Sequence, residues 1–504
     1  MAHKVFERLC KYTRETALLN SIGEVLQWDE RVMAPPAAGA YRAEQIAYLA
    51  GLVHQRQTDP KVGDWLDELS VSDLADDPES DAGVTIRELK REYDKQVKLP
   101  RELVEALTRA AVLGQQRWVE ARKRDDFRAF APCLEEIIKL KREQAEAIGY
   151  QDCLYDALLD DFEPREKTAR VAQVLRDLGQ QLVPLIEAIR DSGQQPDLEI
   201  LSRSYPLAAQ EQFAKRAATA IGFDFDRGRL DVTHHPFCTN LGPHDTRITT
   251  RYDEQFFPMA FFGVLHEAGH GLYDQGLRRD QFGLPPGNYI SMAIHESQSR
   301  LWENLVGRSD AFWQHFFPAA QMAFPGALQN AKREVFVFAL NAVRPSLIRV
   351  EADEITYNLH IIIRFELEQA LLERQLTVTD LPLAWREKYQ NDLGITPPNN
   401  ADGVLQDIHW SAALFGYFPT YSLGNLYAAQ LYEQADRDLG GITPQLAKGE
   451  FAPLLGWFRE HVHQVGQRYS ASDLVRRLTG QPLQVEPLVR QLRRRFAPLY
   501  GLSE

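Results

Sequence analysis

The segment His266-Glu267-Ala268-Gly269-His270 carries the residue types of a hydrolytic metal centre at the spacing such a centre needs. Side chains four apart on a helix are neighbours, about 5–6 Å between Cβ atoms, so His266 and His270 can aim two imidazole nitrogens at one ion. Glu267 is adjacent in sequence but turned around the helix. It stands close to the ion without having to bind it, where it can take a proton from an activated water. Catalytic zinc takes three protein ligands and keeps one position open. The run Ile294 to Arg300 supplies candidates for the third, foremost Glu296, whose bland reading is a surface carboxylate like the nearby Glu303. Six of the thirteen histidines (His234, His235, His244, His266, His270 and His295) crowd into this stretch of the chain, as expected of a metal site.

Two histidines, one carboxylate and a free glutamate describe a zinc centre that hydrolyses peptide bonds, although cobalt or manganese suits the same ligands. Such chemistry also needs a partner for the developing oxyanion and a means of choosing the bond. Tyrosine or histidine serves the first purpose. Arginine serves the second by gripping a terminal carboxylate with two charge-assisted bonds.

These residues need elements to hold them. Around the histidines, Phe261, Leu265, Ala268 and Leu272 recur at helical spacing and predict a buried face on a helix that opens at Pro258. A turn through Leu284-Pro285-Pro286-Gly287-Asn288 and a return helix, its apolar face continued by Leu301 and Leu305, would bring Glu296 back against it. Helical period also marks Leu103 to Arg122, Leu134 to Ile148 and Thr168 to Ile189. The exception is Leu230 to Tyr252, whose β-branched and aromatic residues, broken at Asn240 to His244 by Gly242 and Pro243, predict a β-hairpin.

Composition narrows the class. The net charge of -14 over 504 residues argues against a protein that lives on nucleic acid or anionic lipid, since both require concentrated positive charge. The apolar stretch Val335 to Val343 is interrupted by Asn341 and falls short of the ~18 residues of a membrane span. Lys4, Arg8, Lys11 and Arg14 are followed by no apolar run, unlike a secretory signal. Cys10, Cys133, Cys153 and Cys238 are scattered, as in a chain kept in a reducing compartment, so a cytoplasmic protein is expected.

Motifs along most of the chain then carry a resemblance. His235-Pro236-Phe237, Asp245-Thr246-Arg247-Ile248-Thr249, His266 to His270, His295-Glu296-Ser297-Gln298, Ile348 to Asp353 and Gly403 to Trp410 match HPF, DxRxT, HExxH, HES(G)Q, IRxxAD and GxxQDxHW. Gln27 to Gly39 is similar as well. The chain thus resembles the metallocarboxypeptidases of the carboxypeptidase Taq family, within the gluzincin group. The resemblance implies a mainly α-helical peptidase bisected by a deep substrate groove, with a small antiparallel hairpin or sheet beside the active-site helix. It implies His266, His270 and Glu296 as metal ligands and Glu267 as general base and acid. Arg247 and Arg349 would receive the C-terminal carboxylate of a peptide substrate, His409 and Tyr421 would serve the oxyanion, and Tyr417 would contact the carboxylate. Other readings of these residues are an Arg247–Asp245 ion pair, an Arg349 pair with Glu351 or Asp353, and plain core packing for the tyrosines.

The expected organisation is one peptidase unit over residues 1–504. Helices of residues 1–230 wall the groove, and residues 231–504 carry the hairpin (231–252) and the metal-site helices. The family suggests a homodimer. Two rivals are an oligopeptidase or dipeptidyl carboxypeptidase on the same scaffold, and an inactive peptide-binding scaffold.

Overall fold

The computed structural model describes residues 1–502. The stretches of helical period are helices over Arg101–Arg124, Phe127–Ile148 and Thr168–Asp191. The second begins at Asp126, whose carboxylate accepts the Ala129 N–H at 3.1 Å and so satisfies one of the free donors of the first turn. Val171, Leu175, Leu178, Leu182 and Leu185, spaced by three and four, form the buried stripe of the third.

One hydrophobic core runs from Ala121 to Tyr500 and takes in both the early helices and the helices of the metal site. A smaller cluster of Val5, Leu9, Val62, Leu66, Leu69 and Ile86 joins the first helix, Ala2–Val32, to those over Pro60–Ser70 and Asp81–Gln96. No described helix is long and apolar enough to cross a membrane.

The histidine helix spans Phe257–Gly276, with Pro258 in its first turn, where a missing N–H costs nothing. Phe261, Leu265, Ala268 and Leu272 are all buried, as the spacing predicts. Phe261 stacks on Phe257 and Phe213 with ring centroids 5.1 and 5.4 Å apart and meets Trp313 at 5.2 Å, so an aromatic cluster anchors the N-terminal half.

The strand region is richer than a single hairpin. Strands β1 (Gly228–Val232), β2 (Cys238–Asn240) and β3 (Thr246–Thr250) form a sheet in the order β1-β3-β2. β2 and β3 are the expected antiparallel pair, closed by Leu241 N–H donating to Asp245 O at 2.9 Å. β1 instead joins the far side of β3 in parallel register, Gly228 opposite Thr246. Between β1 and β2 lies His234-His235-Pro236, and Pro236, having no N–H, does not extend a ladder. The chain leaves the sheet there and re-enters beyond β3, which packs on the histidine helix.

The glutamate helix, Met292–Arg300, follows the turn at Pro285–Gly287 and is capped by the Ser291 hydroxyl, which accepts from Ile294 N at 3.2 Å. Gly269 fixes how close the two helices come. A Cβ at that position would lie 2.5 Å from Gln298 O and 2.6 Å from Ser299 Cα, so any side chain there would force the helices apart. A second close approach comes from the helix Pro419–Asp438, where a Cβ on Gly424 would fall 2.6 Å from Glu296 Cγ. The glutamate helix is thus held between two close backbones, one of them against the Glu296 side chain.

Candidate metal centre and active site

His266, His270 and Glu296 converge as the spacing predicts, each offering one donor atom within 4.8 Å of the others. Glu296 Oε2 lies 3.9 Å from His266 Nε2 and 3.5 Å from His270 Nε2. The other ring nitrogens are already engaged. His266 Nδ1 lies 2.8 Å from Glu303 Oε2, and a carboxylate only accepts, so Nδ1 carries a proton and Nε2 is the nitrogen that faces the cluster. His270 Nδ1 lies 3.0 Å from the His295 carbonyl and 2.7 Å from His295 Nδ1, while His295 Nε2 reaches Asp274 Oδ1 at 3.2 Å. With the His295 proton on Nε2, toward the Asp274 acceptor, His270 must donate through Nδ1 and again present Nε2.

The electrostatics fit a cation. Burial would lower the His266 imidazole, but the Glu296 and Glu303 carboxylates outweigh it and raise it to about 9. Burial, aided by His295, lowers His270 to about 4 and keeps it neutral. Burial would also raise Glu296, yet Arg300 and His266 hold it well below the usual carboxylate range. Arg300 Nε donates to Glu296 Oε1 at 2.7 Å, leaving Oε2 for the cluster. The same carboxylates that hold a proton on His266 favour a cation in its place: once an ion displaces that proton, two imidazole nitrogens and one ionised carboxylate oxygen form the donor set of a divalent ion with an open position.

Glu267 is buried beside the cluster, and burial raises its carboxyl to about 7 against the opposing pull of His266. At that value it can both accept and return a proton near neutrality.

Glu303 is no bystander. The glutamate helix continues as a π-helical turn over Leu301–Val306, and this turn swings Glu303 onto His266 and to 3.3 Å from Arg300. Partners that orient a ligating histidine typically contribute 10–100-fold in metal affinity. Glu303→Ala should therefore weaken metal binding by about that factor, measured by titration against a competing chelator; unchanged affinity would remove Glu303 from the site.

A second cluster gathers Arg349, His409, Tyr417 and Tyr421. Arg349 pairs with neither Glu351 nor Asp353. Its Nε donates to Asp407 Oδ1 at 2.9 Å and its Nη1 to the Tyr357 hydroxyl at 3.1 Å. His409 Nε2 lies 3.1 Å from the Tyr421 hydroxyl, and burial with Arg349 nearby lowers the imidazole to about 3, so it is neutral. Tyr417 and Tyr421 pack edge to face, 5.4 Å between centroids, and Tyr417 stands 5.3 Å from the His409 ring. Both tyrosines are only partly buried, so they are not simply core aromatics.

Tyr357 joins the two clusters, with the Arg300 guanidinium 4.5 Å from its ring and Arg349 on its hydroxyl. Arg247 is placed differently. It makes a two-pronged pair with Asp245, 2.8 Å at each contact, and lies 4.3 Å over the Trp28 ring of the first helix. Its contacts are thus the ion-pair alternative, and none is with the Arg349 cluster.

Comparison with known proteins extends over the whole chain. The family model described as carboxypeptidase Taq (M32) metallopeptidase matches residues 8–496. Thermostable carboxypeptidase 1 of Thermus thermophilus is 47% identical over 506 residues, covering 98% of this chain and 99% of that one. Carboxypeptidase 1 of Bacillus subtilis is 38% identical over 498 residues, covering 99% and 98%. Among solved structures, the M32 carboxypeptidase from Deinococcus radiodurans R1 superposes with a TM-score of 0.96 at 39% identity, over 99% of this chain and 100% of that one.

Proposed function

The chain belongs to the carboxypeptidase Taq (M32) metallopeptidase family and is a metallocarboxypeptidase, and from that premise we propose that it removes single C-terminal amino acids from peptides at the centre held by His266, His270 and Glu296. The observation that carries this reading is the convergence of two imidazole Nε2 atoms, on partly buried histidines, with the buried Glu296 carboxylate, and Glu267 beside them. Zinc is the resident ion we infer, because the set mixes imidazole and carboxylate with an open position.

An ion held there supplies Lewis-acid polarisation of the scissile carbonyl and lowers the pKa of a water from about 15.7 toward about 7. Glu267 takes the proton of the attacking water and returns it to the leaving amine. His409 and Tyr421 face the oxyanion as a neutral hydrogen-bonded pair, and Tyr417 lies against them for contact with the substrate. Arg349 supplies a buried guanidinium for the terminal carboxylate. Arg247, lying over Trp28, is proposed as a second contact for that end of the peptide, although its present partners are Asp245 and Trp28.

The main hydrophobic core, which runs from Ala121 to Tyr500 through the metal-site helices, supports one catalytic unit enclosing a groove. Four free cysteines support a cytoplasmic setting, and the family resemblance supports a homodimer.

The test is a set of peptides, free and C-terminally amidated, incubated with and without chelator and read by mass spectrometry for stepwise loss of single residues. Loss of residues in pairs would favour a dipeptidyl carboxypeptidase. No turnover from metal-loaded protein would favour a binding scaffold. The same set reports on Arg349. A buried charge-assisted contact contributes ~1.5–3 kcal/mol, so Arg349→Ala should cost roughly 10- to 200-fold in kcat/KM with free-carboxylate peptides and much less with amides. Equal losses for both would reject it as the carboxylate clamp.

A further inference from the structure

Arg349 is not the only arginine on Asp407. The second carboxylate oxygen, Oδ2, accepts from Arg364 Nε at 2.6 Å. Arg364 sits on the helix Thr356–Leu372 at 0% exposure, and its other nitrogens donate to His360 O at 2.8 Å and Gln406 Oε1 at 2.7 Å. The Trp385 ring lies 4.6 Å from its guanidinium carbon. Every nitrogen of Arg364 is therefore engaged, and it has no path to substrate.

Charge counting gives this side chain a task. Arg349 and Asp407 alone would be a neutral buried pair, with little attraction for a carboxylate. Two guanidinium groups against one carboxylate leave one positive charge in excess. The other titratable groups facing them do not cancel it. His360 and His409 are kept neutral chiefly by burial, and the Tyr357, Tyr389 and Tyr421 phenols are pushed above their ordinary pKa by burial. Arg349 also has the geometry to use the charge. Its Nε and one Nη2 hydrogen face Asp407, and one Nη1 hydrogen goes to Tyr357. One N–H remains on each Nη to meet a carboxylate.

We propose that Arg364 is a positioning residue that sets the charge of the carboxylate-binding end of the site. By engaging Asp407 Oδ2 it leaves Arg349 with an uncompensated positive charge for the peptide's terminal carboxylate. The proposal rests on the reading of Arg349 as the carboxylate clamp.

The experiment measures, on metal-loaded enzyme of verified metal content, inhibition constants for an N-acylamino acid and for its neutral amide. Arg364→Gln should weaken the acid roughly 10-fold or more while leaving the amide within about two-fold, and Arg364→Lys should recover most of the acid's binding. Asp407→Asn leaves two positive charges, so the preference for acid over amide should rise. A purely structural role for the network would lower it. A falling preference in Asp407→Asn overturns the proposal, as does an unchanged one in Arg364→Gln. The sign in Asp407→Asn decides the matter even if Arg364→Gln does not fold. Arg349→Ala separates the two levels: if it leaves the preference intact, the carboxylate-clamp reading fails; if it abolishes the preference while Arg364→Gln does not change it, only Arg364 is excluded.

Discussion

Glu267→Gln lowers kcat by about 10²–10⁴-fold while the protein keeps its metal. The amide has nearly the volume of the carboxylate, so the packing around this buried position survives. What disappears is the capacity to accept a proton. Glu267 lies outside the group of His266, His270 and Glu296 that could hold an ion. Burial brings the Glu267 carboxyl to about 7, high enough to return the proton to an amine and low enough to accept it from water near neutrality. A glutamine offers neither state. Steady-state kinetics paired with elemental analysis checks the expectation. Turnover at the parent rate with full metal would put the base elsewhere, and loss of metal would make Glu267 a structural part of the ligand cage.

What could be read from the sequence divides along a physical line. Helical spacing fixed the relation of His266 to His270, and the apolar positions Phe261, Leu265, Ala268 and Leu272 predicted which face of their helix is buried. Glu296 was accessible because a turn at Pro285–Gly287 leaves little choice but for the next helix to return. Local rules of this kind extend only as far as a helix or a turn. Glu303 looked like a surface residue since nothing near it in sequence announces a partner 37 positions away. Its orientation also depends on the π-helical turn, which shifts it relative to ordinary helical register. The Glu296–Arg300 pair, by contrast, is an i,i+4 contact on one helix and was legible in principle.

The arginines show the same division. Arg247 lies two residues from Asp245, at the turn that leads into β3, and the structure shows that pair. The acids near Arg349 in sequence were the wrong guide, for Asp407 approaches from 58 positions away and is shared with Arg364. The strand β1 was hidden for a related reason. A hairpin is signalled by its turn, whereas a parallel neighbour is brought in by the surrounding fold and leaves no mark beyond β-branched residues.

Glu296→Ala should lose both bound metal and stability, and comparison with Glu296→Gln separates the two effects. Glu296 uses Oε1 on Arg300 and offers Oε2 toward the two histidines. Alanine removes both, leaving two imidazoles, too few for tight retention of an ion, and a guanidinium missing its nearest partner. Breaking a fully buried pair costs about 3–5 kcal/mol. The cost here should be smaller, because Glu303 remains 3.3 Å from Arg300 and the Arg300 side chain keeps 13% exposure. The glutamine variant still offers Arg300 an amide oxygen but gives the cluster a neutral donor in place of an ionised one. Metal affinity should fall in both variants, and the chelated, metal-free proteins should differ in Tm, with alanine the lower. Measuring Tm without metal is the decisive choice, since bound ligand raises apparent stability by mass action and would mix the two effects. Equal Tm values would mean that the Arg300 contact stabilises nothing beyond the metal. A fully loaded and active Glu296→Ala protein would reject Glu296 as a ligand and leave the third donor to be sought elsewhere.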